Sequence, residues 1–284
     1  MSKNLEGKVF LITGGTEGVG KAAALDLARR GATLTLVGRN REKTERIVNE
    51  LKAAGGHDDV HMLLGDMSKI SDVRAVAKEF AAKNDRLDVL VNNAGAWFET
   101  YALTSDGIEQ TFALNHMAYF VLTTELLELI RKTPGARVVS TSSDAHQMSR
   151  FDVHHVAKRD GTAGFFAYAD SKLANILFTL ELAKRLSGTS AVANCFHPGF
   201  VASAFGSNNG GFFKWTFGLG QKMFARSPEK GAETLLWLAT HPDASGFSGQ
   251  YFFDMKARRP KARGDDEGLA RALWDLSEKL AKHL

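Results

Sequence analysis

Tyr168 and Lys172 lie four residues apart, a spacing that could support acid–base chemistry. If residues 165–186 form a helix, the two side chains lie on one face and point into the same space. A free phenol has a pKa of about 10 and is a poor proton donor or acceptor near neutral pH. A neighbouring ammonium favours the phenolate and lowers that pKa. The pair therefore predicts a tyrosine general acid/base, and a solvated helix with a chance pair is the alternative.

Short apolar runs rich in strand-forming residues alternate with longer amphipathic stretches along the chain. The runs that predict strands are residues 8–13, 33–37, 60–64, 87–92, 136–142, 191–196 and 250–253. The stretches that predict helices include residues 20–30, 42–54, 71–84, 107–132, 228–240 and 266–283. Near-continuous apolar strands separated by helices are typical of a parallel sheet buried on both faces. The pattern predicts an α/β protein with a Rossmann-type, doubly wound, seven-stranded parallel sheet, helices on both faces, and ligands beyond the carboxyl ends of the strands.

The chain has 284 residues, of which 44% are hydrophobic and 24% charged, and this predicts a single domain with a substantial core. Within it, residues 1–140 form the predicted cofactor half and residues 141–284 the predicted catalytic and substrate half. The formal net charge of +4 permits an anionic cofactor or a membrane surface and does not argue for nucleic acid.

Cys195 is the only cysteine, which rules out an internal disulfide and fits a reducing compartment. It falls in an apolar run, so we expect an inert core residue. The first residues contain no apolar core of a secretory signal, and no run reaches the roughly 18 apolar residues of a membrane-spanning helix. These features predict a cytoplasmic protein.

The segment from Thr13 to Gly20 reads Thr-Gly-Gly-Thr-Glu-Gly-Val-Gly and joins the first predicted strand to the first helix. Glycines let the backbone turn tightly and approach a diphosphate closely, while the helix N-terminus supplies N–H donors and a positive dipole. A glycine-rich loop alone is weak evidence for a nucleotide site, but this strand–loop–helix context predicts dinucleotide binding.

The residues after the second strand indicate which dinucleotide binds. A carboxylate there would accept hydrogen bonds from an adenosine ribose 2′-hydroxyl, whereas an arginine would pair with a 2′-phosphate. No acid occupies positions 37–41, and Arg39 is present, so NADP is favoured. Glu17 argues the other way, because a carboxylate near the phosphates is unfavourable unless it turns outward.

Polar and small residues also end the other predicted strands. Asp66 could accept a hydrogen bond from the adenine amino group, although an Asp at a strand end is also a common turn residue. Asn93 and its small neighbours allow close approach to the adenosine ribose. The Pro198-Gly199 loop could clamp a carboxamide, with Ser203 near the diphosphate.

Together these residues make the chain resemble the short-chain dehydrogenase/reductase family over nearly its whole length. The matching motifs are Thr13-Gly14-x3-Gly18-x-Gly20, Asn92-Asn93-Ala94-Gly95, Asn115, the set Ser143, Tyr168 and Lys172, and Pro198-Gly199. Further features resemble the retinol-dehydrogenase-like branch, which includes the WW-domain oxidoreductases. They are Ser142-Ser143-Asp144-Ala145-His146, the segment 171–178, His197-Pro198-Gly199 and the segment 248–252.

The resemblance implies a role for each matching residue. Tyr168 is the expected general acid/base, and Lys172 lowers its pKa and holds the nicotinamide ribose. Ser143 would hydrogen-bond the substrate oxygen, and Asn115 would hold a water that links Lys172 to solvent. The expected contacts with NADP, NADPH being preferred over NADH, are Gly14, Thr16, Glu17, Gly18, Val19, Gly20, Arg39, Asp66, Met67, Asn93, Ala94, Gly95, Thr141, Tyr168, Lys172, Pro198, Gly199, Val201 and Ser203.

Such an enzyme would interconvert a carbonyl and an alcohol. Two alternatives share the fold: a light-driven pigment reductase, and a non-catalytic nucleotide sensor, which the presence of both Tyr168 and Lys172 disfavours. The sequence departs from the compact family pattern at residues 144–167, which are long and carry a charged insert at 154–161. Because this insert precedes the helix that many relatives use to dimerise, we expect a monomer or a homodimer.

Residues 203–227 are predicted to form an apolar substrate flap, since five phenylalanines and a tryptophan fall within residues 204–224 beside several glycines. A closing apolar flap implies a small lipophilic aldehyde, ketone or retinoid-like substrate. A core helix is one alternative, and peripheral membrane contact is another.

His146, His154 and His155 do not predict a metal site, because adjacent histidines point to different sides and no cysteine or carboxylate spacing supports one. The basic segment 256–263 is interpreted as a solvated loop before the last helix, with anionic lipid or nucleic acid as the alternative partner.

Overall fold

One eight-stranded sheet organises the chain in the computed structural model, which describes residues 3–158, 164–201 and 226–282. The strands are β1 (Val9–Thr13), β2 (Thr33–Gly38), β3 (Val60–Leu64), β4 (Val89–Asn92), β5 (Arg137–Thr141), β6 (Val192–Phe196), β7 (Tyr251–Phe253) and β8 (Lys256–Arg258). Their order across the sheet is β3-β2-β1-β4-β5-β6-β7-β8. Strands β1 to β7 pair in parallel, as predicted for a Rossmann-type fold.

The eighth strand, β8, is the difference from the predicted sheet of seven. It pairs antiparallel with β7, so the first three residues of the segment interpreted as a solvated loop are an edge strand. Asp254 and Met255 form the connecting turn with φ of 48° and 58°. A two-residue turn with positive φ at both positions matches the twist of a hairpin, but it normally carries glycine. Because the turn residues are Asp254 and Met255, the sequence lacks the glycine that usually indicates such a hairpin.

The helices connect the strands with bounds close to those predicted. They are α1 (Gly18–Arg29), α2 (Arg41–Gly55), α3 (Ile70–Lys83), α4 (Gln110–Phe112), α5 (Ala118–Glu125), α6 (Leu127–Lys132), α7 (Gly164–Arg185), α8 (Pro228–Thr240) and α9 (Glu267–Lys282). Side-chain caps mark several of the starts; for example, Asn40 accepts a hydrogen bond from Lys43 N, and Ser227 accepts one from Lys230 N. Such caps satisfy N–H groups that have no partner within the helix.

The sheet buries apolar side chains on both faces. Phe10 and Ile12 face α1, α2 and α8, whereas Leu11 and Leu90 face the layer that contains α3, α5, α7 and α9. Successive side chains of a strand point to opposite faces, so this alternation produces two separate cores. Each fully buried Leu, Ile or Phe contributes about 1.5–3 kcal/mol, which makes the sheet a rigid platform for the loops at its edge.

The predicted helix over residues 107–132 is divided into several elements. A π-helix, Ala113–Met117, separates α4 from α5, and α6 follows α5 after Leu126. Within it, the Asn115 carbonyl accepts a hydrogen bond from the Asn175 side chain on α7, at 3.0 Å. Because π-helical turns are rare and occur often at functional sites, this irregularity indicates that Asn115 lies at or near such a site.

The carboxyl ends of the parallel strands meet along one edge of the sheet. The chain order reverses between β1 and β4, since α1 leads from β1 towards β2 on one side while β4 leads towards β5 on the other. A crevice at such a switch point is where open α/β sheets bind ligands. Within the described ranges, no helix is both long and apolar enough to cross a membrane.

Candidate active site

The loop between β1 and α1 leaves no room for side chains at its key glycines. A Cβ on Gly14 would lie 2.7 Å from Ala94 Cα, and one on Gly20 would lie 2.2 Å from the Gly14 carbonyl oxygen. Gly14 and Gly18 also have φ of 66° and 54°, a region that favours glycine. Glu17 precedes α1 without making a side-chain cap. The close backbone approach at Gly14 and Gly20 and the N–H groups at the start of α1 are compatible with the predicted diphosphate site.

We expect Gly20→Ala to weaken nucleotide binding and to lower thermal stability, because its Cβ meets a backbone oxygen that cannot rotate away. Destabilisation of about 1–3 kcal/mol is typical of such overpacking. Gly246→Ala is the matched control, since a Cβ at Gly246 meets nothing within 4 Å. Nucleotide titration and thermal unfolding of both variants measure the effect. Equal behaviour of the two variants would contradict the close approach at Gly20.

A hydrogen-bond network joins the ends of β1, β4 and β5 beneath this loop. Thr13 Oγ1 accepts hydrogen bonds from Asn93 N at 3.0 Å and Ala94 N at 3.1 Å. The Asn93 side chain donates to the Gly14 carbonyl at 3.1 Å and accepts from Thr141 Oγ1 at 3.1 Å. The three predicted cofactor residues Asn93, Ala94 and Thr141 are thus brought together on one rigid support.

Arg39 and Asp66 lie near one another beyond β2 and β3. Burial raises the pKa of Asp66, but hydrogen bonds from Ser68 and the charges of Lys69 and Arg39 outweigh it, so the net pKa is below its usual value. Both Ser68 bonds fall on the Oδ1 atom of Asp66, at 3.0 and 2.8 Å. Arg39 itself is exposed and forms no ion pair with any residue of the described ranges. Its guanidinium is therefore available to an anion.

Glu17 turns towards Lys43 on α2, with 2.5 Å between Glu17 Oε2 and Lys43 Nζ. The carboxylate that argued against a 2′-phosphate is thus paired with a cation. The ion pair partly offsets the Glu17 charge, which lessens its conflict with a 2′-phosphate.

Tyr168 and Ser143 meet at the carboxyl end of β5. Tyr168 lies in the first half of α7 and is 9% exposed, and its hydroxyl hydrogen-bonds with the Ser143 side chain. Ser143 Oγ also accepts from Ala145 N at 3.2 Å, in the 3-10 turn Asp144–Met148. The structure therefore brings the predicted acid/base and the predicted substrate-binding serine into direct contact.

Lys172 lies one turn beyond Tyr168 on α7. Its Nζ is 5.4 Å from the Tyr168 ring centroid and donates to the Thr141 carbonyl at 3.3 Å. A Cβ on Gly95 would lie 3.5 Å from Lys172 Nζ and 3.1 Å from Asn115 Oδ1. Lys172 and Asn115 thus both lie beside Gly95, in the Asn-Asn-Ala-Gly segment after β4.

The prediction that the Tyr168 pKa is lowered is wrong in direction. Burial raises the pKa of Tyr168 to about 12, against the opposing effect of the Ser143 hydrogen bond. Burial also lowers the pKa of Lys172 to about 7. The spacing rule considers the attraction between ammonium and phenolate, but it ignores the cost of taking each charge out of water. Here desolvation is the larger effect, so Tyr168 is a phenol at neutral pH.

Asn115 uses its side chain to fix the backbone. Oδ1 accepts from Ala96 N at 2.9 Å, while Nδ2 donates to the Ala96 carbonyl at 2.9 Å and to Ser171 Oγ at 3.0 Å. Both N–H donors are thereby occupied. A water at this position would have to bind an Asn115 oxygen, and the predicted water-holding role stays a prediction.

The loop after β6 packs closely against Arg226, which precedes α8. Gly199 has φ of 81°, and a Cβ there would lie 2.9 Å from Arg226 Cδ. Val201 forms an isolated bridge with Arg226, whose N–H donates to the Phe200 carbonyl at 2.7 Å. Ser203 and all of the predicted flap 203–227 except its last two residues lie outside the described residues.

Several residues that support the site were not predicted as site residues, although three of them fall within the matching motifs. Thr13, Ser171 and Asn175 hold the backbone around the predicted residues, and Arg226 packs on Gly199. The available signal was the position of Thr13 at the end of β1 and the positions of Ser171 and Asn175 next to Lys172 or about one helical turn from it; Arg226 carried no such signal. Among the described residues, no three His, Cys, Asp or Glu side chains are grouped so as to hold a metal ion.

Residues 8–210 match the family model described as short chain dehydrogenase. The chain is 37% identical over 273 residues to mouse retinol dehydrogenase 11, covering 96% of this chain and 86% of that protein. It superposes on an uncharacterized protein from Mycobacterium paratuberculosis with a TM-score of 0.78 and 31% identity, covering 98% of this chain and 94% of that one. A short chain dehydrogenase from Burkholderia cenocepacia, solved in complex with NADP, has a TM-score of 0.70 and 26% identity, covering 88% of this chain and 96% of that one.

Proposed function

Because the chain belongs to the short-chain dehydrogenase family and is an oxidoreductase of it, we propose that it interconverts a carbonyl and an alcohol with NADP(H), Tyr168 acting as general acid/base. The observation that carries this proposal is the contact of the Tyr168 hydroxyl with Ser143, one helical turn from Lys172. This set lies at the same sheet edge as the glycine-rich loop.

In the reduction, Tyr168 would donate its proton to the carbonyl oxygen as negative charge develops there. Ser143 would hydrogen-bond the same oxygen and hold it within reach of the phenol. The bound nicotinamide supplies the hydride, and the chain's own groups bind, orient and protonate the substrate.

Lys172 would then return a proton to Tyr168. Its pKa of about 7, lowered by burial, lets it both carry and release a proton near neutral pH. The same ammonium would bind the nicotinamide ribose, since it lies beside Thr141 at the end of β5.

NADPH is proposed over NADH on the basis of Arg39 and Glu17. The exposed Arg39 guanidinium would pair with the 2′-phosphate, and the ion pair with Lys43 partly offsets the negative charge of Glu17 in the loop. A structural neighbour solved in complex with NADP supports this cofactor.

The proposed substrate is a lipophilic aldehyde, ketone or retinoid-like compound. The similarity to proteins named retinol dehydrogenase and the aromatic residues of the segment 203–227 support this class. We expect kcat/KM with NADPH to rise along an aldehyde series as the chain lengthens, because each buried methylene contributes about 0.8 kcal/mol. An enzyme indifferent to chain length, or one that prefers sugars, would contradict the lipophilic class.

We expect the two reaction directions to respond differently to pH. Oxidation of an alcohol needs the Tyr168 phenolate. Because the pKa of Tyr168 is about 12, the phenolate fraction increases as the pH rises towards that value. Reduction needs the phenol, which already predominates at neutral pH. Profiles of kcat/KM over about pH 6 to 10 test this. The kcat/KM of oxidation should rise with pH, and that of reduction should not. A reduction rate that increases with pH would exclude Tyr168 as the proton donor.

We further propose that the enzyme is cytoplasmic and works as a single-domain monomer or homodimer. Size-exclusion chromatography with light scattering tests the oligomeric state, and a larger assembly would contradict it.

A further inference from the structure

His146 is a buried imidazole for which the proposed reaction has no use. It lies in the 3-10 turn that follows Ser143 and is 1% exposed. Its Nδ1 is 2.8 Å from the Ser143 carbonyl oxygen, and its Nε2 accepts a hydrogen bond from the backbone N–H of Lys261 at 3.2 Å. The ring thus connects the substrate-binding serine to the segment between β8 and α9, which is 115 residues further along the chain.

The two partners allow His146 only one protonation state. The Ser143 carbonyl can only accept a hydrogen bond, so Nδ1 must carry a proton. The Lys261 N–H can only donate, so Nε2 must be without one. A doubly protonated ring would direct its Nε2–H at the Lys261 N–H. Burial, which lowers the pKa of His146, agrees with this neutral Nδ1–H form, although the Ser143 hydrogen bond acts in the opposite direction.

The carbonyl of Ser143 is held by the His146 backbone as well. His146 N donates to it at 3.1 Å, in addition to the Nδ1 contact at 2.8 Å. These two bonds fix the peptide plane after Ser143. The Ser143 hydroxyl itself contacts Ala145 N and Tyr168. The orientation of the hydroxyl therefore depends on the backbone that His146 holds.

The other side of the ring packs on an aromatic stack. His146 meets Tyr251 edge-on with centroids 5.0 Å apart, and Tyr251 stacks on His197 at 5.6 Å. His197 stacks in turn on Phe253 at 4.1 Å, with the Arg226 guanidinium 4.7 Å from the Phe253 centroid. The stack prevents the His146 ring from turning away from its two hydrogen-bond partners.

We propose that His146 is a positioning residue for Ser143, and that the Lys261 N–H sets the tautomer in which it performs this role. The inference rests on the function proposed above, because Ser143 is the group through which His146 acts. The segment between β8 and α9 is thereby part of the active-site support, although it lies outside the proposed catalytic set.

Two pairs of variants isolate the two hydrogen bonds. His146→Phe keeps a ring against Tyr251 but loses both bonds, whereas His146→Asn retains an amide donor at the position of Nδ1. Lys261→Pro removes the N–H that bonds Nε2, and Lys261→Ala, at the same exposed position, keeps it. Each variant is made in the wild type and in Ser143→Ala, and kcat, KM for a long-chain aldehyde and the Kd for NADPH are measured.

We expect His146→Phe to lower kcat about tenfold, with recovery of most of the loss in His146→Asn and no change in the NADPH Kd. The kcat of Lys261→Pro should fall several-fold below that of Lys261→Ala. In the Ser143→Ala background, His146→Phe should cause less than about a twofold further loss, because interacting residues are not additive. An undiminished loss in that background would overturn the inference.

The tautomer of His146 can be determined independently of enzyme activity. Long-range nitrogen-15 spectra of the labelled protein should show His146 with its proton on Nδ1, and a proton on Nε2 would overturn the inference. If His146→Phe does not fold, the inference is still tested by the comparison of Lys261→Pro with Lys261→Ala and by these spectra. A wild type without any NADPH-dependent reduction would refute the proposed function instead, which separates the two failures.

Discussion

The Tyr168→Phe variant should lose at least about 99% of its carbonyl reduction, while its affinity for NADPH stays close to that of the wild type. The substitution removes only the hydroxyl, which hydrogen-bonds with Ser143 and is the proposed proton donor. General acid–base groups typically contribute about 10²–10⁴-fold, and this contribution arises when the proton moves. The loss should therefore appear in kcat and leave the nucleotide Kd unchanged.

The matched control is Tyr101→Phe, which removes a phenol hydroxyl from an exposed tyrosine that bonds only weakly to the Lys158 carbonyl, at 3.4 Å. It should retain near wild-type kcat. If Tyr168→Phe kept more than about a tenth of the wild-type rate, the assignment of Tyr168 as general acid would be wrong.

The Arg39→Asp variant should prefer NADH over NADPH. A charge-assisted hydrogen bond to a phosphate contributes about 1.5–3 kcal/mol, or roughly ten- to a hundredfold in affinity. Aspartate removes that attraction, repels the 2′-phosphate and offers an acceptor to a 2′-hydroxyl. Measurement of Kd and kcat/KM with both cofactors tests the reversal.

Arg41→Asp is the control for a general electrostatic effect, since it makes the same charge change at the first residue of α2. It should lower NADPH affinity much less than Arg39→Asp does. Equal affinity of the wild type for the two cofactors would show that Arg39 does not read the 2′-phosphate.

The strands and the main helices could be predicted because each buries a continuous apolar face. The runs at 33–37 and 60–64 agree with β2 and β3 to within one residue, and residues 228–240 match α8. The predicted catalytic residues also converge, since the carboxyl ends of parallel strands must meet at one edge of the sheet.

The remaining features depend on contacts between distant segments. The π-helix at Asn115 involves a side chain of α7, and the β7–β8 hairpin uses a turn without glycine. The Tyr168 pKa depends on how fully the phenol is buried, which the spacing to Lys172 does not reveal. The role inferred for His146 depends on Lys261, far along the chain.

Hydride transfer from NADPH to a carbonyl carbon is the central claim, and isotopic labelling tests it most directly. The protein would be incubated with a long-chain aldehyde and NADPH deuterated at both C4 positions of the nicotinamide, and the alcohol analysed by mass spectrometry. We expect a single deuterium on the former carbonyl carbon, and almost no alcohol with Tyr168→Phe. An alcohol without deuterium, or no alcohol from any carbonyl offered to the wild type, would contradict the account.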